Sequence, residues 1–124
     1  MHILQKYRPQ NAIIVPWNKI EEHYDDLISY GWRGEPILSL VKFIQTENLD
    51  KRLFAYTSMD MLIITIYNPA EWNREALHIE FNNYSRRWHF EYFPKPNEPT
   101  EMERYYPEEL GITKFCQFIE MLRW

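Results

Sequence analysis

Two histidines and two glutamates alternate with apolar residues along the segment 77–92, LHIEFNNYSRRWHFEY. The four polar residues are His78, Glu80, His89 and Glu91. Two imidazoles and two carboxylates on neighbouring strands can converge on zinc or a similar ion. These residue types therefore allow a metal or catalytic site, provided that the fold brings the four side chains together.

The alternation also predicts the element that carries these residues, a β-hairpin with two different faces. A period of two on both sides of the segment is typical of half-buried strands. With the turn centred between Tyr84 and Ser85, a slip of one residue would mix the two faces, so one register is favoured. The facing pairs are then Phe81 with Trp88 and Ile79 with Phe90 on a core wall, and Glu80 with His89 and His78 with Glu91 on the polar face.

The sequence leaves three interpretations of this polar face open. Alternating polar residues are what a solvated sheet face needs, and cross-strand pairs of opposite charge stabilise a hairpin by about 0.2–1 kcal/mol each. The same face could contact a protein partner, or it could hold a metal or catalytic site. Spacing alone establishes neither a metal nor another cofactor, and none is assigned.

A second group of candidate residues lies in the acidic segment 97–109. Five glutamates and one arginine give this segment a charge of −4, equal to that of the whole chain. Negative charge repels nucleic-acid phosphates and attracts a basic protein partner, although a solvated loop is an equally valid interpretation. Besides the polar hairpin face, the predicted partner contacts are Glu98, Glu101, Glu103, Tyr105, Tyr106, Glu108 and Glu109.

Apolar residues at helical spacing predict two N-terminal helices and one C-terminal helix. The first helix is expected to begin with a capping box at Asn18 and Glu21 and to end at Gly31, and the second to begin at Pro36. The apolar stripes are Ile20, Tyr24, Leu27 and Ile28 in the first helix, Ile37, Leu40, Val41 and Ile44 in the second, and Phe115, Phe118, Ile119 and Leu122 in the third.

Strands are predicted between the helices. The segments 53–57 and 61–67 flank a tight turn, and residues 61–66 are apolar on both faces, as in a central strand. Three prolines within residues 94–99 predict that the sheet ends after the hairpin, because proline lacks the donor that a sheet needs. The chain, residues 1–124, is thus predicted to form a single α+β domain. An antiparallel sheet of four or more strands carries an N-terminal helical hairpin and a C-terminal helix on one face.

Composition disfavours several functional classes. The single cysteine, Cys116, cannot form an internal disulfide and is expected to be buried and inert, and no secretion signal opens the chain, so we expect a cytoplasmic protein. No apolar stretch approaches the roughly 20 residues that span a bilayer. The chain has three glycines and no glycine-rich phosphate loop. Four tryptophans lie outside the strand pattern and are expected either to cover helix ends and loops or to contact a partner: Trp17, Trp32, Trp72 and Trp124.

Residues 115–124 form an aromatic pattern, F-x-x-F-I-x-x-L-x-W, at the end of this small acidic α+β domain. In this layout the chain resembles the immunity proteins of bacterial polymorphic toxin systems, including contact-dependent inhibition and type VI secretion cargo. The resemblance covers the general architecture and the C-terminal part of the chain, and no family site transfers residue by residue. It implies a non-catalytic inhibitor that covers a cognate toxin domain, often a basic nuclease.

Two alternatives from other classes remain open. One is a small metal-dependent enzyme that uses His78, Glu80, His89 and Glu91, and the other is a non-catalytic adaptor subunit. An immunity protein predicts a neighbouring toxin gene and tight, salt-sensitive binding. A metal-dependent protein predicts bound metal that is lost on replacing the histidines, whereas an adaptor predicts neither.

Overall fold

The computed structural model describes residues 13–68, 74–94 and 102–124. It contains helices α1 (Trp17–Ser29), α2 (Glu35–Thr46) and α3 (Gly111–Leu122). The strands are β1 (Phe54–Ser58), β2 (Met61–Thr65), β3 (Ala76–Asn82), β4 (Arg87–Phe93) and β5 (Met102–Pro107). They form one antiparallel sheet in the order β1-β2-β3-β4-β5, which confirms the predicted α+β class. Within these described ranges, every helix is too short or too polar to cross a membrane.

The β3–β4 hairpin has the register that the sequence predicts. Phe81 faces Trp88, and His78 faces Glu91. The side chain of Asn82 accepts hydrogen bonds from the backbone N–H groups of the two residues at the tip of the turn, at 2.8 and 3.0 Å. Such a side-chain bond is a common way for asparagine to hold a turn, and here it fixes the point about which the strands pair.

One face of the sheet forms the hydrophobic core with the three helices, and we call it the core face. Its fully or almost fully buried strand residues are Ala55, Leu62, Ile64, Leu77, Ile79, Phe81, Trp88, Phe90 and Tyr92. The helices bury Ile20 and Tyr24 of α1, Ile37, Leu40, Val41 and Ile44 of α2, and Phe115, Phe118 and Ile119 of α3. Strand β2 has a neighbour on each side, so its predicted central position is confirmed.

The other face, which we call the second face, changes character across the sheet. On β2, Ile63 and Thr65 are buried. On β3 and β4 the polar residues of the hairpin are half-buried, and on β5 Glu103 and Tyr105 are exposed. The second face is therefore apolar on one side and acidic on the other.

Helix α1 begins differently from the prediction. Its first residue is Trp17, whose Nε1 donates a hydrogen bond of 2.8 Å to the backbone oxygen of Leu53. The burial of this indole places Asn18 inside the first turn, where its side chain makes no cap. Glu21 instead accepts a hydrogen bond of 2.8 Å from Gln45 of α2. The predicted capping box is therefore wrong, and the side chain assigned to it joins the two helices.

The end of α1 follows the prediction. Gly31 has a φ of 105°, a left-handed conformation that glycine adopts without strain. The N–H of Trp32 bonds to the oxygen of Leu27, and the N–H of Gly31 bonds to the oxygen of Ile28. These two bonds form a Schellman motif, which satisfies the last carbonyls of the helix and turns the chain toward α2.

Strand β5 was not predicted from the sequence. The proline-rich connector was expected to end the sheet, but the chain returns to pair with β4, with Tyr106 facing Trp88 and Glu103 facing Glu91. An edge strand pairs on one side only and tolerates charged residues, so the acidic composition did not mark it as a strand. Glu98 and Glu101, two of the predicted partner contacts, lie outside the described residues.

Helix α3 starts directly against Trp88. The indole Nε1 donates a hydrogen bond of 2.8 Å to the backbone oxygen of Glu108. A Cβ atom on Gly111 would lie 2.1 Å from the indole ring, closer than any side chain can approach. The absence of a side chain at this position therefore lets the helix dock on the sheet.

We expect Gly111→Ala to lower the free energy of unfolding by about 1–3 kcal/mol, the usual cost of an overpacked core. The φ of Gly111 is −58°, so the backbone accepts alanine and the loss reports the clash with Trp88. Urea denaturation measures the change. Gly31→Ala is the contrasting control, because open space surrounds that position and only its positive φ opposes the substitution. A Gly111→Ala protein as stable as the parent would contradict this packing.

Candidate functional site

His89 lies among three carboxylates on the second face. Its Nδ1 is 3.5 Å from Oε1 of Glu80. Its Nε2 is 2.7 Å from Oε2 of Glu103 and 3.9 Å from Oε1 of Glu91. Strands β3, β4 and β5 each contribute to this group, so the register of both ladders is needed to assemble it. We call Glu80, His89, Glu91 and Glu103 the His89 cluster.

The ring of Tyr105 holds the imidazole of His89 in place. Tyr105 faces His89 across the β4–β5 ladder, and the two rings stack with centroids 4.4 Å apart and planes within 5°. The guanidinium of Arg87 lies 5.6 Å from the Tyr105 ring centroid. The side chain of His89 is only 19% exposed, whereas Tyr105 is 54% exposed. The imidazole is thus fixed between a tyrosine ring and the carboxylates.

The His89 cluster carries an excess of negative charge. Glu91 and Glu103 face each other directly across the ladder, an arrangement in which like charges destabilise a sheet. Within the described part of the chain, the ion pairs found for Glu80, Glu91 and Glu103 all involve His89. Even a protonated imidazole neutralises one of three carboxylates. Chemically, the cluster is therefore suited to receive a cation.

His78 belongs to the predicted quartet but has a different environment. It faces Ile63 on β2, and its ring lies 4.6 Å from the ring of Phe93. Burial lowers the pKa of His78 from 6.5 to about 4, so the imidazole is neutral at pH 7. The predicted facing position with Glu91 is confirmed, but the expected pair of opposite charges is not formed at this pH.

The acidic segment is divided between the two faces of β5. Glu103 and Tyr105 join the His89 cluster on the second face. Tyr106 points to the core face, where its ring makes an edge contact with Phe90 at 5.3 Å. Tyr106 is therefore half-buried against the core.

Beyond β5, Glu108 is neutralised by an arginine. Nε and Nη2 of Arg86 donate to its two carboxylate oxygens at 3.0 and 3.2 Å, and this interaction lowers the pKa of Glu108. Nη1 of Arg86 also donates to the backbone oxygen of Arg33, which ties the hairpin turn to the helical layer. Glu109 is exposed and lines a second cavity of about 420 Å³ together with Glu35. The acidic segment thus does not form one continuous surface.

An open groove of about 480 Å³ connects the His89 cluster with two turns at one end of the sheet. It is lined by Glu80, His89 and Tyr105 at one end and by Asp60 and Tyr84 at the turns. Tyr84 is 90% exposed. Asp60 and Tyr84 were not predicted as site residues, because the groove forms only when β2 and β3 pair, and the composition of the two turns does not indicate it.

Three of the tryptophans that the sequence singled out have structural roles. Trp17 and Trp124 are each 8% exposed and belong to the core, and Trp32 packs against its edge. Trp72 lies outside the described residues. Cys116 is half-buried rather than buried as expected, and burial raises the pKa of its thiol, so the thiol is protonated at neutral pH.

Fold and site together define a class: an α+β domain whose sheet is covered by helices on one face and presents a polar, tyrosine-containing groove on the other. No protein-family model, curated protein or solved structure matches this chain. The candidate site is accordingly defined by the geometry of the His89 cluster and the groove.

Proposed function

We propose that this chain is an immunity-type inhibitor, which binds a cognate bacterial toxin domain and neutralises it by direct protein contact without catalysis. The observation that carries the proposal is the groove on the second face, with the His89 cluster at one end and exposed Tyr84 at the other. The three described helices pack against the opposite face. The groove therefore offers a preformed docking surface on a rigid sheet.

The chemistry of this surface favours a basic partner. The three carboxylates of the cluster repel one another, and a lysine or arginine from a partner would relieve that repulsion while gaining a charge-assisted hydrogen bond. Tyr84 and Tyr105 supply exposed aromatic area of the kind that is typical of binding hot spots. A basic toxin domain, such as a nuclease, has the complementary charge.

Growth rescue tests the function itself. The open reading frame beside the gene for this chain is expressed in a bacterial host, alone and together with this chain. We expect the neighbouring product to arrest growth, co-expression to restore it, and the two purified proteins to form an equimolar complex. A toxic neighbour that this chain does not neutralise, or a harmless one, would overturn the proposal.

We expect the double substitution Glu80→Lys/Glu103→Lys to slow association with the toxin about tenfold or more at low salt, because it reverses the field that steers a basic partner. Stopped-flow binding at two salt concentrations measures the association rate. The control, Glu22→Lys/Glu120→Lys, changes the net charge equally at exposed glutamates on α1 and α3. Equal slowing by both pairs would show that net charge, rather than the groove, attracts the partner.

A further inference from the structure

Three side chains of the His89 cluster have the spacing of ligands around one small ion. One ligand atom from each of Glu80, His89 and Glu91 lies within 4.8 Å of the other two. Bonds of about 2.1 Å from nitrogen and oxygen to zinc separate tetrahedral ligands by about 3.4 Å. The distance of 3.5 Å between Nδ1 of His89 and Oε1 of Glu80 already has this value. Oε1 of Glu91 lies closer to the other ring nitrogen, 3.9 Å from Nε2 of His89, so the side chain of Glu91 must turn toward Nδ1 to complete the set.

Glu103 and Tyr105 supply the support that a histidine ligand requires. A metal-binding histidine almost always donates its second ring N–H to a carboxylate or carbonyl, which fixes the tautomer and the ring. Nε2 of His89 has this relation to Glu103, at 2.7 Å. A proton on Nε2 leaves the lone pair on Nδ1, the nitrogen that faces Glu80, and the stacked Tyr105 ring keeps it in that direction.

The ligand types indicate the class of ion. An imidazole together with two carboxylates suits divalent transition metals, whereas magnesium and calcium prefer oxygen ligands alone. A divalent cation would also balance two of the three facing carboxylates. We infer that Glu80, His89 and Glu91 bind a divalent transition-metal ion, with Glu103 as the residue that positions the imidazole. This inference does not depend on the proposed inhibitor function.

The test is a Zn²⁺ titration of the full chain from which metal has first been removed with a chelator. Calorimetry measures the binding, and competition with a chromophoric chelator gives the affinity independently. We expect one ion per chain. His89→Ala and Glu91→Gln should each weaken Zn²⁺ binding by about a hundredfold or more, because each removes a direct ligand. Glu103→Gln should weaken it about tenfold, as expected for a residue that only orients a ligand.

His78→Ala is the matched control, because His78 lies on the same face of the same hairpin but outside the ligand set. It should bind Zn²⁺ as tightly as the parent. Co²⁺ provides a second readout, since a bound ion gives visible absorption that His89→Ala should lose. Circular dichroism establishes that each variant is folded. If His89→Ala does not fold, Glu91→Gln tests the metal site in its place.

Equal Zn²⁺ affinity in the parent and in folded His89→Ala or Glu91→Gln, or far less than one ion per chain, would overturn the metal site. Growth rescue reports on the inhibitor function alone, so the failure of one proposal is distinguishable from the failure of the other.

Discussion

Phe90→Ala should lower the free energy of unfolding by about 3–5 kcal/mol, the range typical of truncating a buried phenylalanine. Phe90 is completely buried in β4. Its ring makes edge contacts with Trp88 of the same strand at 5.9 Å and with Tyr106 of β5 at 5.3 Å, and it belongs to the hydrophobic core, so alanine would leave a cavity there. Because β4 is hydrogen-bonded to a strand on each side, the backbone cannot shift to fill that cavity. The expected loss of stability is therefore larger than that of most single substitutions.

Phe93→Ala is the matched control for this prediction. Phe93 has the same side chain in the same strand, but it lies on the second face, is half-buried and contacts His78. We expect it to lose less than about half as much stability, because part of its ring already contacts water. Equilibrium urea unfolding, followed by circular dichroism at pH 7, gives both values. A loss below about 1 kcal/mol for Phe90→Ala, or a larger loss for Phe93→Ala, would mean that the two faces are assigned backwards.

The β3–β4 hairpin was predictable because everything that determines it is local. Both strands and the turn lie within residues 77–92, and a period-two pattern assigns every side chain to a face once the centre of the turn is known. The helices were predictable for the same reason, since an apolar stripe and a terminal glycine are read within one segment. The interior of the fold and three members of the His89 cluster follow from such local patterns.

The rest of the site depends on contacts between distant segments. Glu103 and Tyr105 reach His89 only through the β4–β5 pairing, which bridges a proline-rich connector. The segment 102–107 has no apolar alternation that would mark a strand, because Arg104 lies between Met102 and Tyr106, which pack against the core, and an edge strand tolerates such a charge. The burial of His78 likewise arises from Ile63 on β2 and could not be read from the hairpin alone.

That burial gives the chain a defined sensitivity to acid. The pKa of His78 is about 4 in the folded protein, against about 6.5 in an unfolded chain. Above pH 6.5 the imidazole is neutral in both states and contributes nothing. Between pH 6.5 and 4 the unfolded chain takes up a proton that the folded chain excludes, so stability falls as the pH falls. Below pH 4 both states are protonated, and the total loss from this residue reaches about 3 kcal/mol.

His78→Phe should be spared this loss, because phenylalanine keeps the aromatic contact with Phe93 and cannot be protonated. The quantity to compare is the free energy of unfolding of the parent minus that of the variant, at pH 7 and at pH 4. Other acidic and basic groups titrate in both proteins and cancel in this difference. We expect the difference to fall by about 3 kcal/mol, and the carbon-bound ring proton of His78 to titrate by NMR with a midpoint near 4. Equal losses of stability in the two proteins, with an NMR midpoint near 6.5 for His78, would contradict the prediction. They would mean that the His78 ring and the apolar side of the second face are exposed to solvent.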